Sequence, residues 1–240
     1  MRKILSQLRS AIEKYNLIED GDKIAVGLSG GKDSLVLLSA LSNYRIFSPV
    51  KFDLIAITVD QTNGETDFSC LSNFCEKLNV EFYVEKTEIF NIVFNERKEK
   101  NPCSLCAKLR RGILNSTAKK LGCNKVALAH HKDDLLETFF LSLFYEGRLS
   151  TFSPKTYLSN VDITAIRPLV FTDEKTIISA SKDLPIVKNI CPANHKTKRE
   201  DMKNFLADLE KKMPNVKNQI FNAITSPERY NLFDKFLKNN

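Results

Sequence analysis

Apolar positions along the chain repeat at two periods. Over residues 3–18 Ile4, Leu8, Ala11, Ile12 and Tyr15 recur at helical spacing, which predicts an amphipathic helix before the turn Asp20-Gly21-Asp22. Largely apolar runs at 23–28, 52–59, 80–84, 125–129 and 161–166 predict five strands. Runs with so little polar alternation suit strands covered on both faces. Helical patterns lie between them, at about 33–44, 66–78 and 104–121 and again after His131. In the 66–78 helix Phe68, Leu71, Phe74, Cys75 and Leu78 share a face, so Cys70 and Cys75 read as packing residues. Gly122 is placed to stop the 104–121 helix. Residues 147–154 read as a loop, and Thr172 is expected to cap a helix with Asp173 and Glu174 in its first turn. Beyond an irregular stretch at 185–192, helices are expected at about 198–212, 215–224 and 226–238.

Strands alternating with helices argue an α/β fold with a doubly wound, parallel five-stranded sheet and right-handed crossovers. The expected organisation is an N-terminal helix (1–20), a main domain (21–184) and a C-terminal helical segment (185–240). Such sheets bind ligands at the carboxyl ends of their strands, near the switch in strand order. Three polar clusters fall at strand ends: the loop Ser29-Gly30-Gly31-Lys32-Asp33-Ser34, the pair Asp60-Gln61, and the run from His130 to Asp134.

Composition changes this picture little. Hydrophobic residues at 42% and charged residues at 27% fit a globular protein. No apolar run reaches the roughly 18 residues that cross a bilayer. The first ten residues carry no secretory apolar core, so the expected location is cytoplasmic, with no membrane partner. A net charge of +7 is compatible with a polyanionic partner but equally with solvated lysine faces.

The glycine loop carries the first piece of chemistry. Strand, glycine turn and helix in that order aim consecutive backbone N–H groups at one point before a helix N-terminus, a cradle for phosphate. Ser29 and Ser34 add hydroxyls and Lys32 adds charge; because Asp33 follows Lys32, this is not the common P-loop. ATP is the expected ligand, with Asp60 and His131 beside it. Asp133 and Asp134, with Asp33, are candidates for Mg²⁺ binding or acid–base work, although two acids in a first helical turn also suit the helix dipole.

Six cysteines in such a chain point to metal or redox chemistry before disulfides. Cys103 and Cys106 form a Cys-x-x-Cys at a loop-to-helix junction, and Cys191 is the natural third. Three thiolates suit a [4Fe–4S] cluster with one open iron, or a zinc site completed by His195. They suit equally a metal-free persulfide chemistry helped by Lys108, Arg110 and Arg111. Cys123 reads as buried and inert. Arg110, Arg111, Arg148, Lys196, Lys198 and Arg199 are expected to form an RNA-binding rim.

The loop 29–34 resembles the pyrophosphate loop of PP-loop ATPases, which cleave ATP between its α- and β-phosphates and adenylate a carbonyl oxygen. Residues 103–114, Ala129-His130-His131-Lys132-Asp133-Asp134, Ile166-Arg167-Pro168-Leu169 and Cys191-Pro192 are similar to the TtcA family of tRNA 2-thiocytidine synthetases. The resemblance covers about residues 20–225. It implies a [4Fe–4S] cluster on Cys103, Cys106 and Cys191 with one iron open for sulfide, and Mg²⁺-assisted ATP activation of C2 of a tRNA cytidine, position 32. Asp33, Asp133, Asp134 and Arg110 are the catalytic candidates. The implied partners are tRNA and a sulfur donor such as a cysteine desulfurase, with a homodimer compatible. Ala129 stands where the family often has glycine, and one cysteine stands near 191 where some members carry two. Other readings of the same residues are a thiouridine synthase, a lysidine-synthetase-like enzyme whose cysteines are structural, and an ATP-gated RNA-binding or redox-sensing protein.

Overall fold

A computed structural model describes residues 1–97, 102–187 and 198–232. The chain forms two compact units, Met1–His131 with Ser153–Asn194, and Lys132–Phe152 with His195–Asn240. The units therefore interleave along the chain.

The first unit is built on a six-stranded sheet in the order β3-β2-β1-β4-β6-β5. Its strands are β1 (Asp22–Gly27), β2 (Phe52–Asp60), β3 (Glu81–Lys86), β4 (Lys125–Ala127), β5 (Lys155–Leu158) and β6 (Ile163–Ile166). All neighbouring pairs are parallel except β5 with β6. The five parallel strands are those the apolar runs predict, and the sixth is a correction. Lys155-Thr156-Tyr157-Leu158 forms an edge strand and turns back through a hairpin whose Asp162 has φ +50°. An edge strand needs no continuous apolar run, so this segment, just past the loop expected at 147–154, carries no strand signal in the sequence.

Helix α1 (Arg2–Tyr15) buries Ile4, Leu8, Ala11 and Ile12, the stripe seen in the sequence. It packs on α2 (Lys32–Phe47), which also contacts β1, β2 and α6 (Glu174–Ala180). Enclosed in this way, α2 is buried nearly all round, from Ser34 through Ser42 and at Tyr44. Helix α3 (Ser69–Lys77) lies against β3 and buries Leu71 and Cys75. Cys70 is exposed, against the packing role expected for it. Helix α4 (Pro102–Lys120) contacts β2, β3 and β4, and its Leu114 and Ala118 close a core with Ala25, Ile55, Ile57, Cys123, Val126 and Ile163. It comes so near β1 that a Cβ on Gly27 would lie 2.8 Å from Leu114 Cδ2. Gly122, at φ +76°, ends α4 as expected.

At the amino edge of the sheet Lys125 is buried. Its Nζ meets Asp22 Oδ2 and Glu19 Oε2, each at 2.7 Å, and donates to the Leu17 carbonyl at 3.1 Å. This ties the chain leaving α1 to the starts of β1 and β4. The hydrogen bond from Lys125, aided by the charges of Lys125 and Lys155, holds the Glu19 carboxyl below its ordinary value.

The second unit contains α5 (Lys132–Leu141), a π-helical continuation Ser142–Glu146, α7 (Lys198–Lys212) and α8 (Val216–Thr225). Phe140, Phe144 and Phe205 pack edge-on or tilted at centroid distances of 5.4–5.7 Å, joining α5 and its continuation to α7. Of the helix expected at 226–238, the described residues form only a 3₁₀ turn, Pro227–Arg229.

Candidate active site

The glycine loop lies between β1 and α2, at the carboxyl edge of the sheet and at its switch point. There the order runs from β1 to β2 on one side and to β4 on the other. Gly30 has φ +77°, a conformation strained for any residue with a Cβ, and Gly31 caps α2. The loop is tied from within. Ser34 Oγ donates to the Gly31 carbonyl at 2.9 Å, Ser29 N donates to Ser34 Oγ at 3.2 Å, and the two serine hydroxyls lie 3.2 Å apart. It is also tied from outside, since Val187 N donates to the Gly30 carbonyl at 3.0 Å. A Cβ on Gly30 would stand 2.8 Å from Val187 Cβ.

Lys32 Nζ lies 3.1 Å from Asp33 Oδ1 and 3.2 Å from Glu174 Oε1. Burial disfavours the ammonium, yet the two acids outweigh it and raise the Lys32 pKa, so the side chain is charged at neutral pH. The buried Asp33 Oδ1 has His131 Nε2 at 3.8 Å. Asp33, Lys32 and buried His131 thus converge on the loop, as expected; Glu174 joins them without any signal in the sequence. Thr172 does not cap α6: Asp173 holds the cap position, and the Thr172 hydroxyl is buried with no hydrogen bond among the described residues.

Asp60, expected beside ATP, spends its carboxylate on its own turn. It accepts from Thr62 N at 2.9 Å, Thr62 Oγ1 at 2.7 Å and Gly64 N at 2.5 Å. The next residue, Gln61, meets the cysteine helix: Cys106 Sγ donates to Gln61 Oε1 at 2.8 Å. Cys103 and Cys106 occupy the first turn of α4 three residues apart, hence on one face, with Cys103 exposed. Two thiols on one face of a first helical turn are a donor set that fits a thiolate-held metal. Cys191, expected as the third ligand, and His195 and Lys196 lie outside the described residues. Among the described residues no group of three or more metal-ligating side chains comes together.

Arg110 and Arg111 are exposed on α4. Arg167, at the end of β6, donates through Nη1 to the Ser153 carbonyl at 2.6 Å and to Thr156 Oγ1 at 3.2 Å. Burial, and then the charge of Arg111, push its pKa down to about 10, still high enough to keep it cationic at neutral pH. Buried Cys75 has its thiol pushed up to about 12 by the same desolvation, and burial raises that of Cys123, which matches its expected inertness.

In the second unit the acids that open α5 are engaged. Lys217 Nζ lies 2.9 Å from Asp133 Oδ1, and Arg199 Nη1 lies 2.9 Å from Asp134 Oδ1 and 3.6 Å from Glu137. This arrangement gives no support to a catalytic or Mg²⁺ role for Asp133 and Asp134. It shows them as clamps on α7 and α8. Arg199, expected at RNA, is the other half of one clamp. Lys198 sits over the Tyr145 ring at 3.9 Å, and Arg148 is exposed. No described helix is long and apolar enough to cross a membrane.

The profile of the PP-loop domain matches residues 2–210. The tRNA-cytidine(32) 2-sulfurtransferase of Aliivibrio fischeri is 41% identical over 93% of this chain and 74% of its own length. That of Geobacter sulfurreducens is 37% identical over 97% and 93%. Among solved structures, the U34-tRNA thiolase NcsA from Methanococcus maripaludis with its [4Fe-4S] cluster aligns with a TM-score of 0.74 at 25% identity, over 93% of this chain and 76% of that one. An NH3-dependent NAD synthetase from Campylobacter jejuni, at 17% identity and a TM-score of 0.51 over 95% and 94% of the two chains, shares the fold.

Proposed function

We propose, from the premise that this chain belongs to the tRNA-cytidine(32) 2-sulfurtransferase family of PP-loop proteins, that its two strand-edge features work as one site: the glycine loop activates and the cysteines deliver. The protein is an ATP-dependent tRNA thiolase. The observation that carries the assignment of roles is the common position of loop and cysteines. The loop leaves the carboxyl end of β1, and Cys106 is hydrogen-bonded to the residue that leaves the carboxyl end of the neighbouring β2.

A pyrimidine carbonyl oxygen is a poor leaving group. In the proposed reaction O2 of the cytidine attacks the α-phosphorus of ATP, the α–β bridge breaks, and pyrophosphate departs into the N–H groups of residues 29–34. Lys32, held charged by Asp33 and Glu174, neutralises the departing phosphates, with Mg²⁺ as co-ligand. His131 and Asp33 orient the adenylated base, and Arg110 and Arg111 contact the RNA backbone. A sulfur nucleophile then replaces the AMP at C2. Cys103, Cys106 and Cys191 would hold a [4Fe–4S] cluster, which when bound supplies a place for inorganic sulfur. A desulfurase-type donor, a cytoplasmic location and a homodimeric state complete the proposal.

Anaerobic reconstitution with iron and sulfide should load about four irons per chain. With ATP, Mg²⁺, unmodified tRNA and sulfide as the sulfur source, the loaded protein should then form 2-thiocytidine and release AMP and pyrophosphate in equal amounts. ADP as product, or thiolation unaffected by removing Cys106, would overturn the reading.

A further inference from the structure

Gln61 is held from both sides before its side chain reaches the cysteine helix. Its carbonyl accepts the N–H of Phe90 at 3.2 Å. The preceding Asp60, 1% exposed, locks the turn through Thr62 and Gly64, and its own carbonyl accepts Thr87 N at 2.9 Å and Thr87 Oγ1 at 2.7 Å. From this fixed root Gln61 Oε1 takes the Cys106 S–H at 2.8 Å, across 45 residues of sequence. The turn stands at the sheet edge that carries the glycine loop, since Ile57 of β2 is in register with Gly27 of β1.

We infer that Gln61 is a positioning residue for the sulfur centre, fixing Cys106 Sγ relative to the phosphate-binding edge whether or not the thiol carries a proton. A carboxamide suits both states: its oxygen accepts the S–H of the thiol, and its NH₂, after rotation of the amide, donates to a sulfur whose proton has been replaced by metal. Glutamate can do only the first, and beside a metal-bound thiolate it adds a like charge. Methionine donates nothing and is at most a weak acceptor. The metal-loaded half of the inference rests on the reading of Cys106 as a cluster ligand. The thiol half stands on the hydrogen bond itself.

Two variants separate these halves. In metal-free protein, site-resolved alkylation under anaerobic conditions reads Cys106 against exposed Cys103 in the same sample. Gln61→Met should speed Cys106 relative to Cys103 about five-fold, while Gln61→Glu keeps the ratio at or below that of the parent, since its carboxylate still accepts the S–H and its charge opposes the attacking thiolate. After reconstitution, both variants should lose iron to a chelator about ten-fold faster or more, with Gln61→Glu the worse of the two. Affinity for ATP, measured by calorimetry, should be unchanged in both and serves as the folding control. A role in packing alone would make Met and Glu behave alike in every assay. An unchanged alkylation ratio in Gln61→Met, or parental iron retention in Gln61→Glu, overturns the inference. Should the parent itself take up no iron, the cluster reading fails, and the alkylation ratio still decides whether Gln61 holds Cys106. Should Gln61→Met not fold, iron retention in the nearly isosteric Gln61→Glu decides.

Discussion

The two edges of the first unit's sheet carry polar groups of the same kinds and use them in opposite ways. At the amino edge, one buried lysine meets three oxygens within 3.1 Å, two of them carboxylate, and its three N–H bonds are all taken. At the carboxyl edge the loop's hydroxyls bond mainly to each other and to Gly31 at 2.9–3.4 Å. A backbone turn there has φ positive, and the Asp33 oxygen is buried with a lysine and a histidine near it. A saturated charge cluster holds elements together, whereas a glycine turn before a helix N-terminus offers backbone N–H groups to phosphate. The lesson is that polar residues at a strand end announce chemistry only when their neighbours leave capacity over.

That contrast can be broken from either edge. The largest effect is expected from Gly30→Ala, which forces a Cβ into a left-handed turn and against Val187. ATP affinity and thiolation should fall by about 100-fold or more, read by calorimetry and by nucleoside mass spectrometry. Lys32→Ala follows, with a loss on the order of 10²-fold in turnover and a smaller one in ATP affinity. Lys125→Ala should do the reverse. Leaving Asp22 buried without its cation should cost about 3–5 kcal/mol in denaturant unfolding, with ATP affinity unchanged in protein that remains folded. If ATP affinity fell instead, the amino edge would not be the purely structural one.

Smaller effects test the second unit and the core. Asp133→Ala should lower stability by about 1–3 kcal/mol through the loss of Lys217, without altering ATP affinity. Cys75 adds an alkaline signature. Its folded pKa lies above the unfolded value, so its contribution is present below about pH 9 and is lost as pH rises toward 12. Cys75→Ala should flatten that part of the stability–pH profile, and Cys75 should resist alkylation in the native protein at pH 9.

The parallel strands are legible in the sequence because both their faces are covered and their apolar runs are therefore continuous. β5 is not legible, because an edge strand such as Lys155–Leu158 can alternate polar and apolar residues and still be paired. The glycine loop and the Cys-x-x-Cys are local strings, and local strings survive without coordinates. What the sequence does not announce are ion pairs with distant partners: Lys217 and Arg199, 84 and 65 residues away, stand beside Asp133 and Asp134. Cys70 reads as packing until the helix phase turns it outward, and Thr172 reads as a cap although α6 begins one residue later than that requires.

The bond from Val187 to Gly30 sets a tether. It joins positions 30 and 187, so the chain that follows α6 is fastened to the turn after β1, and the phosphate loop is anchored by a segment far from it in sequence.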